Sequence, residues 1–303
     1  MSNQRPAIGE LFPVGGRLAP AQMIGREGDV ADLVQRLIER EHVVLSGARR
    51  IGKTSVCGAV CEVLESKHDF VVIDFEAPEQ SSAEGVCQLL IDRTARLDLQ
   101  RIAQGLLKGS APFVQSWLDA HGVPLDLSEF RASVPSATLR TVLELPLEVA
   151  RQHRKGVVLF IDELQRAVDY ADGVGLVTGL VDLYAGNPDV VILIDGSETR
   201  MVEQLVGQPY SLGKLAQRLE LEPCIPQDQW RAPLRSRFTR AGFGISEERL
   251  QRLLAFGAEQ PYRTMAACAA VGLAAHRAEQ REIDDFVLEL GLKEASQRLD
   301  DDV

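Results

Sequence analysis

His42-Val43-Val44-Leu45-Ser46-Gly47-Ala48-Arg49-Arg50-Ile51-Gly52-Lys53-Thr54-Ser55 is the stretch on which the reading of this chain turns. The run from His42 to Ser46 predicts a short buried strand. From Gly47 to Thr54 the residues fit G-x-x-x-x-G-K-[ST] at every fixed position, and Lys53 to Ser66 has helical composition, with Val56, Val60, Val63 and Leu64 as its apolar residues. Strand, glycine-rich turn and helix form the context in which this pattern cradles phosphate. Glycines let the loop wrap with its amides pointing inward, and the helix beginning at Lys53 turns its positive end toward an anion. Lys53 supplies a mobile charge for terminal phosphates, and the Thr54 hydroxyl is a ligand for Mg²⁺. Gly47, Ala48, Arg49, Arg50, Ile51, Gly52, Lys53, Thr54 and Ser55 are therefore the candidate cradle.

Working outward, a helix is expected from Asp29, with Val30, Leu33, Val34, Leu37 and Ile38 on one face. Further strands are expected at Phe70–Phe75, Val157–Ile161 and Val190–Ile194, with a short fifth at Leu219–Leu221. Unbroken apolar strands alternating with helices predict a parallel sheet covered on both faces. Residues 82–131 read as a helical insertion. A helical stretch over Pro135–Arg154 must be kinked or divided at Pro146, which has no amide to donate. After Pro223 the strands cease, and 226–240, 246–256, 261–277 and 281–298 read as helices. The expectation is an α/β fold, a P-loop NTPase parallel sheet sandwiched by helices, followed by a small all-helical lid. Its parts are an arm at 1–22, a core at 23–223 and a lid with an acidic end at 224–303.

Two more segments carry chemistry. Asp162 and Glu163 follow the third strand, which puts both at the carboxyl edge of a parallel sheet, where ligands bind. Asp162 is the candidate to hold the metal and Glu163 to polarise a water; the alternative is that they cap the helix expected at Leu164. After the fourth strand, Ser197, with Thr199 in reserve, is placed to reach between the attacking water and a terminal phosphate. The alternative for Ser197 is a plain helix cap.

The segment Met23-Ile24-Gly25-Arg26-Glu27 resembles the hhGRE motif of AAA+-related STAND-type ATPases and the archaeal ATPases, and GARRIGKTS, LFIDELQ and DGSE resemble their Walker A, Walker B and sensor regions. The resemblance spans about residues 23–275. It implies that Ile24, Gly25 and Arg26 line the adenine side of the site. Through Ser211–Leu221, similar to the segment before the last core strand, it implies that Arg218 is an arginine finger reaching a neighbouring subunit. It also implies that Arg263, in Gln260-Pro261-Tyr262-Arg263, is a second sensor in the lid. Such ATPases commonly end in a winged helix; only 28 residues follow Ala275, so no dedicated DNA reader is expected.

Composition narrows the rest. The chain has 303 residues, 33 Lys plus Arg against 44 Asp plus Glu, and a net charge of −11; hydrophobic residues make up 45%. That profile excludes disorder as the main state. The longest stretch free of charge, Thr264 to His276, is too short to span a membrane, and the first ten residues lack the apolar core of a secretory signal, so a cytoplasmic location is expected. From Glu279 on, nine acids face three bases, which repels nucleic acid. The basic run Trp230–Arg240 either meets nucleic acid or is a lid helix with Trp230, Leu234 and Phe238 inward. Cys57 and Cys61 are read as part of a buried helix stripe, with no metal-ligand cysteines and no disulfides expected. Scattered histidines and the lack of G-x-S-x-G or H-E-x-x-H remove hydrolase triads and zinc sites. The expected function is an ATP-binding, ATP-hydrolysing molecular switch using Mg²⁺, with a possible homo-oligomer and an unidentified protein partner. The alternatives are a slow ATP-gated binding module and a DNA-linked ATPase resembling replication initiators or transposition regulators.

Overall fold

The computed structural model describes residues 6–79, 82–107, 136–197 and 199–301. Its helices are α1 (Ile8–Leu11), α2 (Glu27–Ile38), α3 (Lys53–Lys67), α4 (Ala83–Leu107), α5 (Ser136–Leu143), α6 (Leu145–His153), α7 (Gly173–Tyr184), α8 (Thr199–Val206), α9 (Gln227–Ala241), α10 (Glu247–Gly257), α11 (Pro261–Arg277) and α12 (Asp285–Asp301). The strands are β1 (His42–Ser46), β2 (Phe70–Glu76), β3 (Gly156–Asp162), β4 (Val190–Gly196) and β5 (Ala216–Glu220). The chain forms two compact units. One is built of residues up to Val30, Ala48–Ala59 and Leu221 onward; the other of Ala31–Gly47 and Val60–Glu220.

The second unit contains the sheet, parallel throughout, in the order β2-β3-β4-β1-β5. Every residue of β3 and β4 is buried. A strand buried at each position needs cover on both faces, which is why these segments read as unbroken apolar runs. Ile73, Leu159, Ile161, Ile192 and Ile194 pack with Leu90 and Ile91 of α4, Val142 of α5, Val149 of α6 and Leu176 and Leu180 of α7 in one core. The expected break at Pro146 is real: α5 ends at Leu143 and Pro146 occupies the first turn of α6, where its missing amide removes no helical bond. The helix expected at Leu164 is a 3₁₀ helix, Leu164–Asp169. Of the 82–131 insertion, Ala83–Leu107 is helical and 108–131 lies outside the described residues.

The fifth strand starts earlier than the sequence suggested, at Ala216 rather than Leu219. It is an edge strand with exposed Gln217 and Glu220, so it lacks the apolar run by which the central strands announce themselves. Arg218 consequently lies inside the strand, paired in register with Val44, and not ahead of it.

The first unit is helical. Trp230, Leu234 and Phe238 of α9 are buried with Leu250, Leu253 and Leu254 of α10, Val271 of α11 and Val287 and Leu288 of α12. The 1–22 segment, read as an arm, contributes to this core: Phe12 is fully buried and its ring centroid lies 4.6 Å from that of Phe238. Trp230, Leu234 and Phe238 thus face inward, as one of the two alternatives for the basic run has it, while Arg231 and Arg235, expected to be solvated, both pair with Glu247. Among the described residues no helix is long and apolar enough to cross a membrane.

Candidate functional site

The loop leaving β1 has the backbone its glycines predict. Gly47 lies at φ 149°, Gly52 at φ 97° and Arg50 at φ 67°. A Cβ added at Gly52 would meet nothing within 4 Å, so glycine is required there by the torsion and the space above the loop is open. The first intrahelical donor of α3, Val56 N, reaches Gly52 O at 3.0 Å, which puts the amides of Lys53, Thr54 and Ser55 in the first turn. Those amides and the helix dipole make an anion site. Lys53 is only 5% exposed, and its Nζ donates to Ala48 O at 2.8 Å, holding the ammonium inside the loop. Ala48, Arg49 and Arg50 are exposed, Thr54 is half-buried and Ser55 is buried.

Beside the loop, Ile24 and Arg26 are buried. The Arg26 guanidinium donates to Ile51 O at 3.2 Å and to Glu222 O at 2.7 Å, and pairs with Asp29 at 3.2 Å. It ties the loop to the chain entering the helices. Gly25 has φ 66°, and a Cβ there would come within 2.4 Å of Ile225 Cγ2 and 2.5 Å of Gln229 Oε1, so this turn accepts no side chain. A narrow, mostly apolar cavity of about 50 Å³ is lined by Leu18, Ile24, Ile51, Trp230, Pro261 and Met265 among others. Ile24 and Arg26 line it and Gly25 does not. Arg263 is exposed and its guanidinium lies 5.8 Å from the Phe256 ring. Its neighbour Tyr262 is the residue that meets the loop: the Arg50 guanidinium stacks over its ring at 4.6 Å.

In the sheet unit, the carboxyl ends of three adjacent strands bring their polar residues together. Asp162 pairs in register with Asp195, and Ser46 with Gly196. Asp162 is 9% exposed and Asp195 fully buried. Glu163 sits in the left-handed region at φ 57°, a conformation that costs a non-glycine residue on the order of 1–3 kcal/mol and that clusters at functional positions. Its amide is held by Asp195 O at 2.8 Å. Ser197 Oγ donates to Glu163 Oε2 at 2.9 Å, and Gln165 Nε2 donates to the same oxygen. Glu163 therefore faces the Ser197 turn, beyond the end of β3, and does not act as a simple helix cap; it makes no side-chain cap bond. Thr199 begins α8.

Gln165 is a residue sequence reasoning passed over. It is 1% exposed, and its Oε1 is buried without a hydrogen-bond partner. A polar side chain two places beyond the strand-end Glu163, between Leu164 and Arg166, was the available signal. Gly196 makes room for it, since a Cβ there would lie 3.0 Å from Gln165 Oε1. Arg218 is engaged within its own chain: Nε donates to Ser46 Oγ at 3.0 Å and Nη1 reaches Glu203 at 3.3 Å. This places it at the root of the phosphate loop, because Ser46 immediately precedes Gly47.

The donor set suits a hard cation held mainly by its ligand. Among the described residues no group of three or more His, Cys, Asp or Glu could hold a metal. Asp162 with its register neighbour Asp195 offers carboxylate oxygens, and Mg²⁺ typically takes one or two carboxylates with waters and phosphate oxygens. The thiols are poor ligands: Cys57 and Cys61 are buried in α3, and burial pushes the Cys87 thiol up to about 12.

Comparison with known proteins bears on the family and the fold. The family model for the AAA ATPase domain matches residues 22–195. A search of curated proteins finds no significant match. Among solved structures, a Walker-type ATPase of Pyrococcus abyssi is similar with a TM-score of 0.63 at 17% identity, over 95% of this chain and 76% of that one. The Aeropyrum pernix ORC1 protein in complex with DNA gives 0.62 at 16%, over 95% and 69%. The Thermotoga maritima RuvB Holliday junction branch migration motor gives 0.52 at 12%, over 93% and 72%. These likenesses show the fold, a P-loop NTPase sheet with surrounding helices, and with more than half of its length matched the chain belongs to the AAA ATPase domain family.

Proposed function

We propose that this protein binds ATP with Mg²⁺, hydrolyses it, and works as a cytoplasmic, STAND-like molecular switch. The observation that carries the reading is Glu163, at a left-handed backbone position and with one carboxylate oxygen accepting from Ser197 and Gln165, in a chain whose phosphate loop is complete. In this reading the loop amides and Lys53 bind the phosphate chain, and Lys53 exchanges Ala48 O for phosphate oxygens. Thr54 and Asp162 are the residues that would hold Mg²⁺, which would supply charge neutralisation for the phosphate chain. Glu163 accepts a proton from the attacking water, and Ser197 keeps the accepting oxygen in place. Ile24 and Arg26 form the adenine side.

The roles proposed for the two arginines differ. Arg263 faces Phe256, so a sensor role requires it to leave that ring. Arg218 braces Ser46 within its own chain, and a finger role would require it to release Ser46 and Glu203 for a neighbour's phosphate. Turnover measured against protein concentration separates these: a steep rise lost in Arg218→Ala supports an assembled enzyme, while flat, slow turnover supports a gated binding module.

The first test is binding. Lys53→Ala should lose Mg²⁺-dependent ATP binding at least tenfold, read with a fluorescent ATP analogue. Full binding by that variant would defeat the proposal. A DNA-linked role is the second reading, favoured by the likeness to the ORC1 protein in complex with DNA and to the RuvB branch migration motor. The pairing of Arg231 and Arg235 with Glu247 and the net charge of −11 weigh against it. Stimulation of turnover by duplex DNA would favour it.

A further inference from the structure

The cavity beside the phosphate loop has an unusual wall. Ser55, Trp230, Pro261 and Met265 line it from helices, and Leu18 and Gln22 line it from the segment Leu11–Gln22, a stretch with no regular structure after Leu11 except a short 3₁₀ helix at Pro20–Gln22; the turn that follows, the phosphate loop and Ile225 complete the wall. Three fastenings hold this segment. At its ends, the buried Arg237 guanidinium donates to Leu11 O at 3.1 Å through Nη1 and to Gln22 O at 2.6 Å through Nη2. In its middle, Leu18 N donates to Ser55 Oγ at 2.9 Å, and the Arg17 guanidinium lies over Gly58 of α3, where a Cβ would come within 2.1 Å of Nε.

Each fastening is chemically specific. A planar guanidinium can serve two carbonyls at once, whereas an ammonium is a point donor. Arg237 is 8% exposed, and among the described residues no carboxylate pairs with it. Its acceptors are these two main-chain carbonyls and, at 3.8 Å from Nη1, the weakly accepting Met265 sulfur, so the carbonyls are the strong acceptors that it organises. Glycine is a poor helix former, yet Gly58 stands in the interior of α3; the Arg17 side chain occupies the space its missing Cβ leaves. Leu18 and Gln22, from the fastened segment, line the cavity directly. At about 50 Å³ the cavity has room for a few waters, each needing roughly 10–15 Å³ by this measure, and not for a purine. A base needs more room than this, and Leu18 and Gln22 stand on a segment that has no helical ladder between Phe12 and Ala19 and is held chiefly by the fastenings above.

We infer that Leu11–Gln22 is a strap that opens to admit the base of a bound nucleotide and closes over it, with Arg237 as the positioning residue that staples the closed form. This rests on the ATP-binding reading above and adds to it a determinant that the phosphate loop does not contain. Arg237 acts through the strap and touches no phosphate, so its effect must depend on the base.

The test compares ATP with magnesium tripolyphosphate, which has the phosphate chain and no base, by competition against a fluorescent ATP analogue. The same analogue, chased with excess ATP, gives the off-rate. In Arg237→Met the ATP off-rate should rise at least tenfold and ATP affinity fall accordingly, with tripolyphosphate affinity unchanged within twofold. Arg237→Lys should lie between. Gly58→Ala favours the helix but displaces Arg17; it should melt no lower than the parent and still release ATP several-fold faster. If Arg237→Met fails to fold, Arg237→Lys and Gly58→Ala decide. Equal losses for ATP and tripolyphosphate, or unchanged off-rates in folded variants, would overturn the inference. A parent protein that binds neither ligand would instead defeat the ATP-binding reading itself.

Discussion

The strand-end cluster and the apolar cavity beside the phosphate loop are built on opposite principles. Asp162, Glu163, Asp195 and Ser197 come together because β3 and β4 are register neighbours; once the two strands pair, their ends must coincide. The cavity wall is closed by long-range side-chain bonds: Arg237 reaches a carbonyl 226 residues away, and Arg26 one 196 residues away. A site placed by backbone pairing is as rigid as the sheet beneath it, which suits chemistry that tolerates little misplacement. A wall held by a few guanidinium bonds can open, which suits admission and release.

Glu163→Gln strikes the first principle hardest. It preserves shape and both neighbouring donors while removing the base, so ATP should still bind and turnover should fall at least tenfold, and by as much as roughly 10²–10⁴ as expected for a lost general base. Phosphate release alongside analogue binding checks this, and unimpaired turnover would remove Glu163 from its proposed role. Phe12→Ala strikes the second. It deletes a fully buried ring packed against Phe238 and should destabilise the helical unit by about 3–5 kcal/mol. Thermal unfolding would show it, and a shift no larger than that of an exposed-site substitution would mean the 1–22 segment contributes little to that core. Gln165→Leu is subtler. It removes one donor to Glu163 together with a buried acceptor that lacks a partner, which costs about 1–3 kcal/mol in the parent. Stability should hold or rise while turnover falls several-fold; falling stability with normal turnover would show that Gln165 serves packing alone.

The same contrast explains what the sequence disclosed. The loop, β3 and β4 were readable because local signals suffice for them: fixed glycines, a lysine, and apolar runs that end in acids. The Ser197 turn was readable for the same reason, as it follows directly from a strand. Arg218 was misplaced because an edge strand with two exposed polar residues carries no hydrophobic run, and pairing with β1 defines it. Phe12 and Arg237 were illegible in their roles. Nothing near Phe12 shows a period, and the oxygen partners of Arg237 are backbone carbonyls, which leave no trace in residue identity. Tyr262 was overlooked beside Arg263 since a cation was the expected feature, yet the cation came from Arg50 on the loop.

A final, smaller difference between the two units should appear with pH. His42 opens β1 at the end of the strand opposite the acids; burial lowers its pKa from the ordinary 6.5, and a hydrogen bond to the Tyr184 backbone only partly offsets this. Its Nδ1 accepts from Ile192 N at 3.0 Å, a bond that requires a neutral nitrogen there. With the folded value below the unfolded one, the unfolded chain binds the proton first. Stability of the sheet unit is therefore full above pH 6.5, declines as pH falls below it, and levels off beneath the folded value. In the helical unit the corresponding group is Asp285, whose carboxyl the Arg249 guanidinium holds below the ordinary 3.8; its contribution is present above that value and fades only in stronger acid. Between pH 6.5 and 5 the sheet unit should soften while the helical unit does not, which hydrogen exchange resolved by segment can read. His42→Asn keeps an acceptor for Ile192 N without a titrating ring and should flatten the decline; parallel curves for parent and variant would assign the acid sensitivity elsewhere.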